Sequence, residues 1–390
     1  MVVAYYTSTS FMDVFIEIIQ SIKHEVELHV FIEISNESKT STIVDVESIS
    51  EANLIEKPEN ILGIDTWKLY KPYFEGVASV QFVVYKSKRS LSINTLHKSY
   101  LVGKYLKKLQ IDIVHFDTVS LRSIGLYKYL REKNIIIALH DPIPHLGEYN
   151  WREDIPGLIY YKRTKGFIFY SNYSSNQFKE NFQKITTPNY IIRLQNYSFI
   201  QKISSKPIEP TYLLFFGRLS YYKGIDLLLE AIPIVLKKYP DEKFKIVGKP
   251  SFDYKVNKAI IEKYSNNITI EEKHVKMIEL KELIQNSKFI ICPYREATQS
   301  GVAMTSFAVG KAIVATNVGS FPEYIKNNIN GILSEPNAIS IASKIIEALT
   351  NNKYKELENN IIKSRSENTL IENRKVLLSA YSYCLDNNRK

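Results

Sequence analysis

The stretch TYLLFFGRLSYYKGIDLLLEAIPIVLKKYPDEKFKIVGKP, residues 211–250, decides the fold. Tyr212–Phe216 and Phe244–Val247 are short apolar runs of strand length, and Ile225–Tyr239 between them has helical periodicity. Strand, loop, helix and strand in that order form a β-α-β unit, with parallel strands covered by helices. The alternation runs on through helix Tyr254–Ser265, strand Ile268–Ile270, helix Ile278–Gln285, strand Phe289–Cys292, helix Gly301–Val309 and strand Ala312–Thr316. After a charged, Asn-rich stretch comes a closing helix, Ile371–Leu385.

The same grammar is written upstream. Val2–Tyr6, Glu25–Ile32, Val80–Tyr85, Ile111–His115, Ile135–His140, Phe167–Tyr170 and Tyr190–Leu194 read as strands between helix-length segments. Ser198–Pro210, with its serines, lysines and prolines, reads as a linker. The expected architecture is α/β: two Rossmann-like, doubly wound domains facing each other across a cleft. The first spans 1–205 and the second 206–370, with a helix in 371–390 packing back on the first domain.

The chain has 390 residues, 45% of them hydrophobic and 24% charged, which excludes a disordered chain, a collagen-like fibre or a disulfide miniprotein. Its longest apolar runs fall far short of the roughly 20 residues of a spanning helix. MVVAYYTSTSFMDVF reads as a first strand and loop, not a signal peptide. Two distant cysteines, Cys292 and Cys384, point to a reduced, cytoplasmic setting. Net charge is +10 and uneven: residues 1–50 hold 2 basic and 8 acidic groups, and residues 51–200 hold 21 and 13. That excess suits an anionic membrane surface or a phosphorylated substrate, although the chain is Lys-rich throughout. No nucleic-acid module accompanies it.

Ligands of such sheets sit beyond the carboxyl ends of the strands, so the loops there carry the chemistry. After Phe216, Gly217 allows a tight exit, and Arg218 and Lys223 project two cations ahead of a helix. Two cations and a helix start suit a diphosphate, although the pair alone reads equally as a surface-loop cap. After Cys292, the loop PYREATQSG places Glu296 before Thr298-Gln299-Ser300-Gly301 and an apolar helix. Small residues there leave backbone N–H groups open to an anion, and Glu296 can accept hydrogen bonds from sugar hydroxyls. Seen alone, Glu296 beside Arg295 is an ordinary surface ion pair.

Together, G-R-x-x-x-x-K-G and P-Y-x-E…S-G…G-K-x-I-V-A-T-x-V-G-x-x-P-E resemble the donor domain of the family-4 retaining glycosyltransferases of GT-B fold. The second pattern is Pro293-Tyr294, Glu296, Ser300-Gly301, Gly310-Lys311, Ala315-Thr316, Val318-Gly319 and Pro322-Glu323, and ATQSGV looks like a variant branch. The resemblance implies that Arg218 and Lys223 bind a donor diphosphate, that the Ser300-Gly301 amides cap it, and that Glu296 holds the sugar. Gly217, Thr298, Gln299 and Lys249 join the donor side, with Val247-Gly248-Lys249-Pro250 beside the base. The family's second, ribose-gripping glutamate is missing: Met304 and Thr305 stand there, and Thr305 is the substitute candidate.

In the first half, His140-Asp141-Pro142 resembles the acceptor-domain segment whose histidine reaches the donor sugar, with His145 and Glu148 as acceptor contacts. A lone histidine is more often structural. Thr7 and Ser8 replace the usual glycines after the first strand; they are candidates for acceptor contact or for an N-cap.

The implied enzyme is a retaining, hexosyl-type transferase acting on a UDP- or GDP-sugar, with no cofactor. No D-x-D motif stands at a strand end to hold a metal. A lipid-linked glycan at the inner membrane face is the expected acceptor, in capsule or O-antigen assembly. A sugar-nucleotide epimerase and a non-catalytic nucleotide-sugar binder of the same fold are the alternatives. Arg218→Ala or Lys223→Ala is expected to abolish transfer with the fold intact.

Overall fold

The computed structural model describes residues 1–386 except 42, 88, 118, 132, 149, 150, 205–208, 255, 256 and 364–367, without the side chains of 151–154, 158 and 368. The chain forms two compact units. One comprises Met1–Ile143, Asn150–Gln195 and Glu367–Lys390; the other comprises Pro144–Tyr149 and Asn196–Ser366. The division at Gln195/Asn196 precedes the expected 205/206 boundary, which lies outside the described residues.

The first unit is built on β1 (Val2–Ser8), β2 (Glu27–Ser35), β3 (Ile55–Glu56), β4 (Ser79–Tyr85), β5 (Ile113–Phe116), β6 (Asn134–Leu139), β7 (Gly166–Phe169) and β8 (Asn189–Ile191). Their order is β3-β4-β2-β1-β5-β6-β7-β8. All pairs are parallel except the short β3 edge, antiparallel to β4. Every residue of β6 is buried, because helices cover a parallel sheet on both faces. Each buried Ile or Phe stabilises by about 1.5–3 kcal/mol. Phe116, Tyr160, Phe167, Phe169 and Phe178 belong to one buried hydrophobic cluster of this unit.

The polar loop expected at residues 7–10 is partly strand. Thr7 and Ser8 pair with Ile32 and Glu33, so β1 runs two residues further, and Thr9–Phe11 makes one 3-10 turn.

Helix Asn368–Asp386 packs in the first unit. Asn373 exchanges hydrogen bonds of 2.9 Å with both backbone groups of Arg193, and Arg374 pairs with Glu25 at 3.1 Å. Tyr381 Oη shares a 2.7 Å hydrogen bond with Nδ1 of His115, whose Nε2 has no partner among the described residues. Burial pushes this imidazole down to about 4. Tyr381→Phe is therefore expected to cost about 1–3 kcal/mol in urea unfolding, because a buried ring nitrogen loses its partner. The unfolded His115 takes up its proton at an ordinary histidine value and the native one only near 4. Stability should therefore fall as pH drops from about 6.5 to 4.

The second unit is built on β9 (Tyr212–Phe216), β10 (Phe244–Val247), β11 (Ile268–Glu271), β12 (Ser287–Cys292), β13 (Ile313–Thr316) and β14 (Gly331–Ser334), all parallel, in the order β11-β10-β9-β12-β13-β14. The stretch read as a charged, Asn-rich connection contains β14 and the helices Ala338–Leu349 and Lys353–Lys363. Its asparagines act as turn ligands. Asn330 accepts from Lys326 N and donates to Tyr324 O, Asn327 accepts from Leu333 N, and Asn337 caps the helix by accepting from Ser340 N.

Candidate active site

The site of the second unit is made where the loops after β9 and β12 meet one inserted segment. β9 ends at Gly217, whose φ is 114° and where an added Cβ would lie 2.9 Å from Lys223 Nζ. Lys223 is only 9% exposed, its ammonium 5.2 Å from the Tyr294 ring centroid and 5.9 Å from that of Tyr222. The same charge opposes the burial that pushes the neighbouring Cys292 thiol up to about 12. A cation held between rings in a buried pocket is weakly screened, so it acts strongly on an arriving anion.

The β9 and β12 loops are locked together by Arg295. Its amide donates 2.7 Å to Tyr222 O, its guanidinium forms a two-pronged pair with Asp226 at 2.8 and 2.7 Å, and it stacks 4.1 Å from the Tyr221 ring. Arg295 therefore does not pair with Glu296, as the sequence taken alone suggested. Asp226 gave no signal beyond its place in a helix first turn.

Glu296 faces the inserted segment. Oε1 accepts from Leu146 N at 3.3 Å and meets His145 Nδ1 at 2.5 Å. His145 stacks on Tyr222, centroids 4.1 Å apart, with Nε2 3.5 Å from Thr298 Oγ1. Glu148 meets Arg218 Nη1 at 3.1 Å. His145 and Glu148, expected as acceptor contacts, thus lie against the two residues assigned to the donor. The local reason is chain path: Pro144–Tyr149 belongs to the second unit although its neighbours in sequence belong to the first.

Helix Gly301–Val309 opens beside this cluster. Ser300 caps it by accepting from Ala303 N at 3.2 Å, and helix geometry leaves the Gly301 and Val302 amides without intrahelical acceptors. Thr305 is buried and donates 2.7 Å to Gly301 O, so its proton is committed to its own helix. Thr298 is buried, Gln299 half-buried and Lys249 exposed at the end of β10. Arg218 is the open member, its side chain 58% exposed.

In the first unit, His140 follows β6 and is buried, stacked 3.9 Å from the Phe11 ring. Its Nε2 lies 2.9 Å from Asp117 Oδ1, which also accepts from Tyr170 Oη at 2.8 Å, while Oδ2 accepts from Thr7 Oγ1 at 2.9 Å. Thr7 is thus a partner of Asp117, and Ser8 makes no side-chain cap. Sequence reasoning missed Asp117 and Tyr170; the signal was their position just past the ends of β5 and β7. It also missed Glu33, a buried carboxylate whose protonation burial favours, opposed by Arg122 at 3.9 Å and hydrogen-bonded by Tyr6 and Ser120. Among the described residues no group of three or more His, Cys, Asp or Glu is arranged to hold a metal ion.

Residues 196–367 match the family profile described as Glycosyl transferases group 1. A glycosyltransferase of Methanocaldococcus jannaschii is 24% identical over 283 residues, 69% of this chain and 74% of its own. Another from Haemophilus influenzae is 28% identical over 319 residues, 78% of this chain and 86% of its own. The crystal structure of Anabaena HepE with UDP and glucose superposes with a TM-score of 0.66 at 14% identity, covering 98% of this chain and 99% of that one. This chain has the GT-B fold of two parallel-sheet domains, and its residues 196–367 are a glycosyl transferases group 1 domain.

Proposed function

We propose that this protein moves a hexosyl unit from a UDP- or GDP-sugar to a hydroxyl of a lipid-linked glycan, with retention at the anomeric carbon and without a metal ion. The difficulty of such a reaction is departure of a nucleoside diphosphate while the sugar ring gains positive charge. Lys223, Arg218 and the start of helix Gly301–Val309 lie in one unit with Glu296, and this grouping supports the reading above all. Fixed cations and helix-end amides stabilise negative charge growing on the leaving phosphate, and need no reorganisation as it grows. Glu296 would hold the sugar hydroxyls, Thr298, Gln299 and Gly217 would line the donor, and Lys249 would stand near the base. The acceptor hydroxyl would attack on the face the phosphate leaves, its proton passing to the leaving phosphate oxygen, so no protein nucleophile is required. His140, oriented by Asp117, would contact the sugar, and Thr7 and Ser8 the acceptor. Anabaena HepE, with UDP and glucose bound, supports the donor class. A cytoplasmic setting at the inner membrane face and a place in capsule or O-antigen assembly complete the proposal. No helix among the described residues is long and apolar enough to cross a membrane.

Incubation with radiolabelled UDP- and GDP-sugars tests this reading. Slow donor hydrolysis, and α-glycoside formation from an α-donor when a lipid-linked glycan is supplied, are expected. Sugar interconversion would indicate an epimerase, and binding without turnover a non-catalytic protein.

The inserted segment makes a second expectation. Glu148 occupies the Arg218 guanidinium that a phosphate would use. Glu148→Gln should therefore tighten UDP binding by up to about fivefold, the scale of a partly exposed ion pair. Isothermal titration reads this directly.

A further inference from the structure

One region of the first unit plays no part in this chemistry. From residue 76 to 111 the chain has no Asp or Glu, yet it carries Lys or Arg at 86, 88, 89, 98, 104, 107 and 108. The longest element of the stretch is helix Ile93–Lys108, which buries Thr95, Ser99, Val102, Gly103 and Leu106 against its unit. The opposite stripe, at spacings of four, four, three and four, is Ile93, His97, Leu101, Lys104 and Lys108, all exposed. Cations belong on a water-facing stripe; bare aliphatic side chains do not. Ile93 is 90% exposed, and Leu91, just ahead of the helix, and Leu101 are exposed as well. Lys104 and Lys128 stand 5.2 and 5.7 Å over the half-buried Tyr100 ring, which sets an amphipathic aromatic among the charges. Lys107 and Lys108 also suit the last turn of any helix, where carbonyls favour cations. That explains two charges, but neither the exposed Ile93 nor the absence of carboxylates.

We propose that this helix face docks on an anionic lipid bilayer. Leu91, Ile93 and Leu101 enter the headgroup boundary, and Lys104, Lys107 and Lys108 meet lipid phosphates. Charge complementarity selects the occupant, since no carboxylate interrupts the cationic run. The aliphatic members distinguish a bilayer from a soluble polyanion, which cations alone would serve. The surface lies wholly in the first unit, so it stands apart from the donor chemistry of the second.

Vesicle co-sedimentation of the full chain tests it. Phosphatidylcholine vesicles with about one third phosphatidylglycerol should carry the protein down, and vesicles of phosphatidylcholine alone should not. Added salt should weaken the attachment. Ile93→Glu/Leu101→Glu and, separately, Lys104→Glu/Lys108→Glu should each lower vesicle partition at least about tenfold. Circular dichroism and UDP affinity should stay unchanged in both variants. Equal sedimentation with neutral vesicles, none with either kind, wild-type partition of the double variants, or retention on heparin without vesicle binding would each overturn the proposal. A failure of donor turnover would leave the vesicle result standing, so the two readings fail separately.

Discussion

Lys223→Met should lower turnover by about 10²–10³-fold with little loss of stability. Methionine keeps the length of the buried stem, so the contacts with Tyr222 and Tyr294 survive and the cost should stay below about 1.5 kcal/mol. What disappears is a charge, 9% exposed, at the place where a leaving diphosphate gains negative charge. Loss of one preorganised stabiliser of that kind costs about 2.7–4 kcal/mol of barrier. The effect should fall on kcat more than on KM, because charge on the phosphate grows as the bond breaks. Arg218→Ala should cost less, since water screens a side chain that is 58% exposed. Steady-state kinetics beside thermal melts check both. Normal kcat in Lys223→Met would place the diphosphate elsewhere.

Gly248→Ala should dismantle the same site from below. A Cβ on Gly248 would lie 1.7 Å from Gly217 O and 2.8 Å from its carbonyl carbon. Neither backbone can yield cheaply. Gly217 N donates to Val247 O and Gly248 N to Glu271 O, both at 3.0 Å, while Leu219 N donates to Lys249 O at 2.9 Å and Ser251 N to Leu219 O at 3.0 Å. The β9 and β10 loops must separate, which changes where Arg218 and Lys223 stand relative to Gly301. Overpacking of this kind costs about 1–3 kcal/mol. Displaced contacts of about an ångström can cost roughly 10²-fold in rate. Urea unfolding and UDP titration would show both losses together; an unchanged UDP affinity would separate the loops from the site.

The second unit was largely legible because its loops carry chemistry in short, ordered patterns. Lys223, Ser300 and Gly301 reach their places through the strand–loop–helix units in which they were read. Residues whose role depends on distant partners were not legible. Asp117 is marked in sequence only by its place just past β5; its partners His140 and Tyr170 come to it from β6 and β7. The contacts of His145 and Glu148 with Glu296 and Arg218 were not legible, because six residues cross from one unit to the other, which no local periodicity encodes. The hydrogen bond from the Thr305 hydroxyl to Gly301 O was not legible either, because residue type alone does not fix a rotamer. β14 escaped because Gly331–Ser334 offers only two large apolar residues, Ile332 and Leu333, between asparagine turns.

The most direct measurement is a crystal structure with UDP soaked in. Phosphate density should appear within hydrogen-bonding distance of the Gly301 amide, with the Lys223 ammonium and Arg218 guanidinium on its oxygens and Glu148 displaced. UDP bound at another crevice, with this position empty and Glu148 still on Arg218, would contradict the account.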